Sequence, residues 1–141
     1  MNALSPAYLS AIASQLGALS AFLGGFAATF LGTLLALGVR GKTASVAIGF
    51  AVCASVAFIV AVVASTSLVA ATHPQAPASV QAAASGGARA FMTLSFILGL
   101  YTLLCSLALS GWSRSRGTGL TTSIAGGLGI VLVTLLVVGA G

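Results

Sequence analysis

Residues 44–72 read ASVAIGFAVCASVAFIVAVVASTSLVAAT, and this stretch decides the fold. It has no charged side chain and no proline, and it is longer than the roughly 20 apolar residues a helix needs to cross a hydrocarbon core about 30 Å thick. In lipid every backbone N–H and C=O must be satisfied inside the segment, so an apolar run of this length is a transmembrane helix. The flanks punctuate it. Gly38-Val39-Arg40-Gly41-Lys42-Thr43 precedes the run and His73-Pro74 follows it, and a proline cannot extend a helix that needs its N–H.

Three further runs lie outward from this one. The spans are read at about 6–37, 44–72, 89–109 and 118–139. The first opens with Ser5-Pro6, an N-cap serine followed by proline at the first helical position. The connection at 73–88 is too weakly apolar to span. Within it, Pro77 is expected to open a short helix through Ala84, closed by Gly86-Gly87. The expected fold is therefore all-α, a polytopic membrane protein with four transmembrane helices in one domain over 1–141.

Composition excludes many functions. Of 141 residues, 59% are hydrophobic and 4% charged, where a soluble domain carries about 25% charged residues. Five Lys or Arg face no Asp or Glu at all, which removes carboxylate acid–base pairs and oxygen cages for calcium or magnesium. Cys53, Cys105 and His73 lack any local ligand spacing, so no metal, no cofactor and no enzymatic activity are expected. The two cysteines fall in apolar spans and read as buried, reduced thiols. Nucleic acid is not an expected partner, because the cations form no patch with interleaved aromatics.

The cations report orientation instead. Arg40 and Lys42 lie in the first loop, Arg114 and Arg116 in the third, and only Arg89 on the opposite side. The positive-inside rule then places the short loops in the cytoplasm, with both termini and the 73–88 connection outside the inner membrane. On that topology Trp112 belongs at the cytoplasmic interface and Tyr8 at the outer one.

Small residues recur at helical spacing. In span one Gly17, Ala21, Gly25, Ala28, Gly32 and Ala36 share a face, and small residues let backbones approach in lipid, where no hydrophobic force drives association. Gly126 and Gly129 in span four are read the same way. Span two has an alanine stripe at Ala47, Ala51, Ala54, Ala61 and Ala64. Span three aligns Ser95, Gly99, Thr102 and Ser106; its three hydroxyls are the candidate pore lining, or bond back to a carbonyl one turn earlier. An offset of 74 residues superposes Arg40 on Arg114, Lys42 on Arg116, Phe22 on Phe96 and Gly25 on Gly99, which reads either as two parallel hairpin repeats or as chance matching in so restricted an alphabet.

Small faces on several helices exceed what one bundle needs internally, so the expected assembly is a homo-oligomer in the lipid bilayer. The functional expectation is a pore with a modest preference for anions. A cytoplasmic ring of Arg40, Lys42, Arg114 and Arg116 would set that preference. The alternative is a non-catalytic accessory subunit of a larger membrane complex, which the absence of intramembrane charge supports.

Overall fold

The computed structural model describes residues 5–38, 40–84, 87–113 and 116–139, and it is all-helical over them. Four long helices, α1 (Pro6–Ala36), α2 (Lys42–Ala71), α4 (Gly87–Ser110) and α5 (Arg116–Gly139), are apolar and long enough to cross a membrane. The chain is a multi-pass membrane protein. A short helix, α3 (Ala78–Ala84), lies between α2 and α4, and one 3₁₀ turn (Gly111–Ser113) follows α4.

Local chemistry places the ends. Ser5 caps α1 by accepting the Tyr8 backbone N–H on its Oγ at 3.3 Å, and Pro6 supplies the first helical residue, where no N–H is needed. After α1, Gly38 takes φ 59° and Gly41 φ 121°, positive values that let the chain reverse within a few residues before α2. At the far end of α2 the Nδ1 of His73 accepts the backbone N–H of Gln75 at 3.3 Å, which shapes the turn before Pro77. Pro77 then opens α3 as its position suggests; Gly86 lies outside the described residues, and Gly87 is the first residue of α4.

The long helices stand in a row rather than a closed square. The order is α1, α2, α4, α5: α2 lies between α1 and α4, α4 between α2 and α5, and α1 touches α4 only slightly. Among the described residues α5 packs on α4 and on the 3₁₀ turn alone. Neighbours run antiparallel, so the start of α2 and the 3₁₀ turn after α4 lie at one end, where they are in contact.

The core belongs to α2. Ala44, Ala47, Ala51, Ala54, Phe58, Ala61, Ser65 and Leu68 are all buried, at alternating steps of three and four that make the 3.5-residue period of interlocking helices. Ala57, Ala64 and Ala71 form a second buried line beside it, because α2 alone has neighbours on two sides. On α1 the matching line is Ala13, Ser20, Ala27 and Leu34, each seven residues from the next. Phe58 is the largest fully buried side chain, and it meets Phe96 edge-on at 6.2 Å between ring centroids. A Cβ on Gly24 of α1 would sit 3.2 Å from the Cβ of Phe58, and one on Gly99 of α4 would sit 2.9 Å from its ring. Glycines on both sides thus make room for one phenyl group.

Candidate functional site

The small residues of α1 divide between two faces. Gly17 lies on the face toward α2, where an added Cβ would sit 3.1 Å from the Cβ of Ser65. Ala21, Gly25, Ala28 and Gly32 are exposed, as is Ala36, and Ala21 and Gly25 border a groove with Ile59 and Val63 of α2. Nothing lies within 4 Å of where a Cβ on Gly25 or Gly32 would stand. Thr29 and Thr33 flank this face and donate to the carbonyls of Gly25 and Thr29 at 2.9 Å each, so their hydroxyls are satisfied within the helix and leave a nonpolar surface. Selection by residue size does not separate the two faces. What separates them is the seven-residue line of Ala13, Ser20, Ala27 and Leu34, which marks the side toward α2 and contains no glycine.

In α5 both Gly126 and Gly129 face α4. A Cβ on Gly126 would sit 2.7 Å from the Cβ of Ala108 and 3.2 Å from the carbonyl oxygen of Leu104; one on Gly129 would sit 3.1 Å from Leu104 Cδ2. The helix continues unbroken through this glycine run. All five alanines singled out in α2 are buried.

The α4 hydroxyls do not share one environment. Ser106 is fully buried and donates to the carbonyl oxygen of Ala47 on α2 at 2.8 Å, a bond between helices that residue spacing along α4 does not reveal. Thr102 donates back to Leu98 O at 2.7 Å and to Gly99 O at 3.1 Å. Ser95 is half-buried. Phe58, Phe96, Leu103 and alanine methyls fill the middle of the α2–α4 contact, and Ile59, Val63, Ala88 and Phe91 line an apolar groove between the same two helices. Both cysteines are free, but Cys53 is exposed on the outside of α2 rather than buried, and Cys105 is half-buried. The heptad explains this: Cys53 falls just before the buried Ala54 and on the side where α2 has no neighbour.

Arg40 and Lys42 are exposed at the end where the 3₁₀ turn contacts α2. Arg116 starts α5 at that end, with its side chain outside the described residues, and Arg114 lies outside them altogether. Trp112 stands at the same end, its Nε1 donating to Ser123 Oγ at 2.7 Å, and its indole packs where a Cβ on Gly119 would come within 2.9 Å.

A second group of residues was not signalled by helical spacing: the polar contacts that fasten α5 to α4. Ser123 donates to the carbonyl oxygen of Ala108 at 3.3 Å, and the Thr122 hydroxyl, which lies 2.9 Å from Thr118 O in its own helix, shares its proton with Ala108 O at 3.2 Å. Nearer the other end Tyr101 and Thr134 bring their hydroxyls to 2.6 Å. Among the described residues no group of three His, Cys, Asp or Glu stands together to hold a metal ion. No family model, curated protein or solved structure matches the chain.

Proposed function

We propose that this chain is the non-catalytic subunit of a homo-oligomeric pore in the inner membrane, with the conduit between subunits and a modest preference for anions. The observation that carries the proposal is the exposed face of α1, where Ala21, Gly25, Ala28 and Gly32 form a stripe of small residues and nothing lies within 4 Å of a Cβ on Gly25 or Gly32. In lipid a glycine face gains little from acyl chains and much from another helix that comes close. The conduit lies between chains because the inside of one chain is packed with alanine and phenylalanine. Repeated around an axis, Arg40 and Lys42 would crowd positive charge at one mouth and concentrate anions there.

Two measurements test this. The purified protein in a nanodisc should have the mass of a closed multiple of one chain, and planar bilayers in a salt gradient should reverse toward the anion potential. Replacing Arg40 and Lys42 with Gln should shrink that shift, and raised ionic strength should screen it in the same direction. Cation selectivity unchanged by the double replacement would overturn the role of the basic mouth. The accessory-subunit reading has its own support in the engaged hydroxyls of Thr102 and Ser106, which take two of the three residues of the α4 hydroxyl row out of a lining role. A monomeric particle that co-purifies with other chains would decide for it.

A further inference from the structure

The end of the molecule that holds the connection between α1 and α2 also holds the 3₁₀ turn, which touches both α2 and α5. Arg40 and Lys42 stand there, both exposed, and Arg116 is the first residue of α5. Arg114 precedes it by two positions, so four of the five cations of the sequence fall in the two connections at this end. The chain has no Asp or Glu, so no side chain of its own can serve as their counterion. Like charges gathered in this way repel one another. The anions that balance them come from outside the chain.

Directly beneath the cations the surface is hydrocarbon. Leu35 and Leu37, just before Arg40, are 59% and 65% exposed. Val46 lies one turn into the membrane from Lys42, and Leu120 one turn from Arg116, and both are exposed. Trp112 is exposed at the same end, with its indole against Gly119 and its Nε1 on Ser123, as suits an aromatic residue at headgroup level. A layer of positive charge thus stands within about one helical turn, roughly 5.4 Å, of bulky apolar side chains. That order matches a phospholipid, with phosphate above and acyl chain below. The connection from α1, which ends at Ala36, to α2, which begins at Lys42, is too short to lift Arg40 clear of the headgroups, so it offers no projecting surface to an acidic soluble protein.

We propose that this basic end is a docking surface for net-anionic phospholipids, whose phosphates act as the counterions the chain lacks. Arg40 and Lys42 hold phosphate oxygens at the first connection, and the exposed leucines lie against the acyl chains. A zwitterionic headgroup brings its own amine beside the phosphate and meets the cations with no net charge, so net negative charge is the selected feature. Lipid bound here also relieves the repulsion between the two connections. The proposal goes beyond the pore reading and does not rest on it, because lipid binding is read without any current.

Native mass spectrometry of the purified chain, released from nanodiscs of equal phosphatidylglycerol and phosphatidylcholine, tests it. The lipid retained on the protein should be enriched several-fold in phosphatidylglycerol. Each cation near an anionic surface contributes about fivefold in binding, so Arg40→Gln combined with Lys42→Gln should remove most of the enrichment. Arg89→Gln, near the start of α4 at the opposite end, should leave it unchanged, and Arg40→Lys should preserve it with the charge. Raised ionic strength should lower the enrichment in the unaltered chain, a measurement that needs no variant. Equal retention of the two lipids would overturn the proposal, as would enrichment that survives the double replacement or falls as far with Arg89→Gln. Inorganic phosphate should not displace the retained lipid; displacement would assign the cations to free anions instead. An acidic protein that co-purifies from membranes and is lost with the double replacement would give the surface to that partner and overturn lipid docking.

Discussion

The two hairpins, α1 with α2 and α4 with α5, are held together differently. In the first, α1 and α2 meet through alanine lines, two glycines and the ring of Phe58. In the second, α4 and α5 meet through Gly126 and Gly129 and through hydroxyls, with Thr122 and Ser123 on Ala108 O and Tyr101 on Thr134. Position in the row accounts for the difference. α2 has helices on two sides and is covered by methyl groups, whereas α5 has one neighbour and presents Leu120, Ile124, Leu128, Leu132 and Leu135 outward. Lipid supplies no hydrophobic force between helices, so a helix with a single neighbour gains from close backbone approach and from hydrogen bonds that water does not contest.

The strongest way to break this comparison is at its centre. Phe58→Ala removes the largest fully buried side chain, which packs between Gly24 of α1 and Gly99 of α4, and the alanines around it are already buried and too short to refill the space. The expected loss is about 3–5 kcal/mol, the range for truncating a buried aromatic where neighbours cannot collapse. Unfolding titrated with SDS in mixed micelles reads it. A loss below about 1 kcal/mol would mean that the phenyl group is not what joins the two hairpins.

Gly126→Leu acts on the second hairpin alone. Its side chain would drive into Ala108 and the carbonyl of Leu104, at an expected cost of about 1–3 kcal/mol for overpacking. Because α5 touches no other long helix, the damage should stay local. Trp112, bonded to Ser123, should shift its emission as α5 moves off, while the SDS midpoint read by helical circular dichroism moves far less than for Phe58→Ala. Global unfolding equal to that of Phe58→Ala would show that α5 supports the first hairpin as well, and the contrast would fall.

Much of this arrangement was legible before any coordinates. Four apolar runs bounded by glycine, proline and cations determine four long helices, Ser5-Pro6 determines the start of α1, and Pro77 determines α3. The 3-4 alternation of alanines in α2 points to its buried side. The order of helices was not legible, because nothing in a uniformly apolar helix tells which neighbour it meets. The face of α1 was ambiguous for a related reason. Gly17 meets Ser65 of α2 and Gly25 has nothing within 4 Å, although both belong to one series of small residues; the line of Ala13, Ser20, Ala27 and Leu34 separates the faces, and it does not stand out by residue size. Ser106 was visible as a hydroxyl, but its acceptor on Ala47 lies 59 residues away in the chain.

Tyr101→Phe is the mildest change and sharpens the comparison most narrowly. Thr134 already donates its one hydroxyl proton to Ile130 O at 2.7 Å, so the Tyr101 hydroxyl is the donor in the 2.6 Å contact between α4 and α5. Removing it leaves Thr134 with its intrahelical bond and leaves no charged or wholly unpaired group behind. The expected cost is therefore about 0.6 kcal/mol, the average for a single hydrogen bond between membrane helices. A double-mutant cycle with Thr134→Val isolates the pair from the methylene and ring contacts around it. A coupling near 0.6 kcal/mol would show that hydroxyls help hold the second hairpin where alanines hold the first. Coupling indistinguishable from zero would assign the α4–α5 joint to its glycines alone, and the two hairpins would then differ only in which small residue lets their backbones approach.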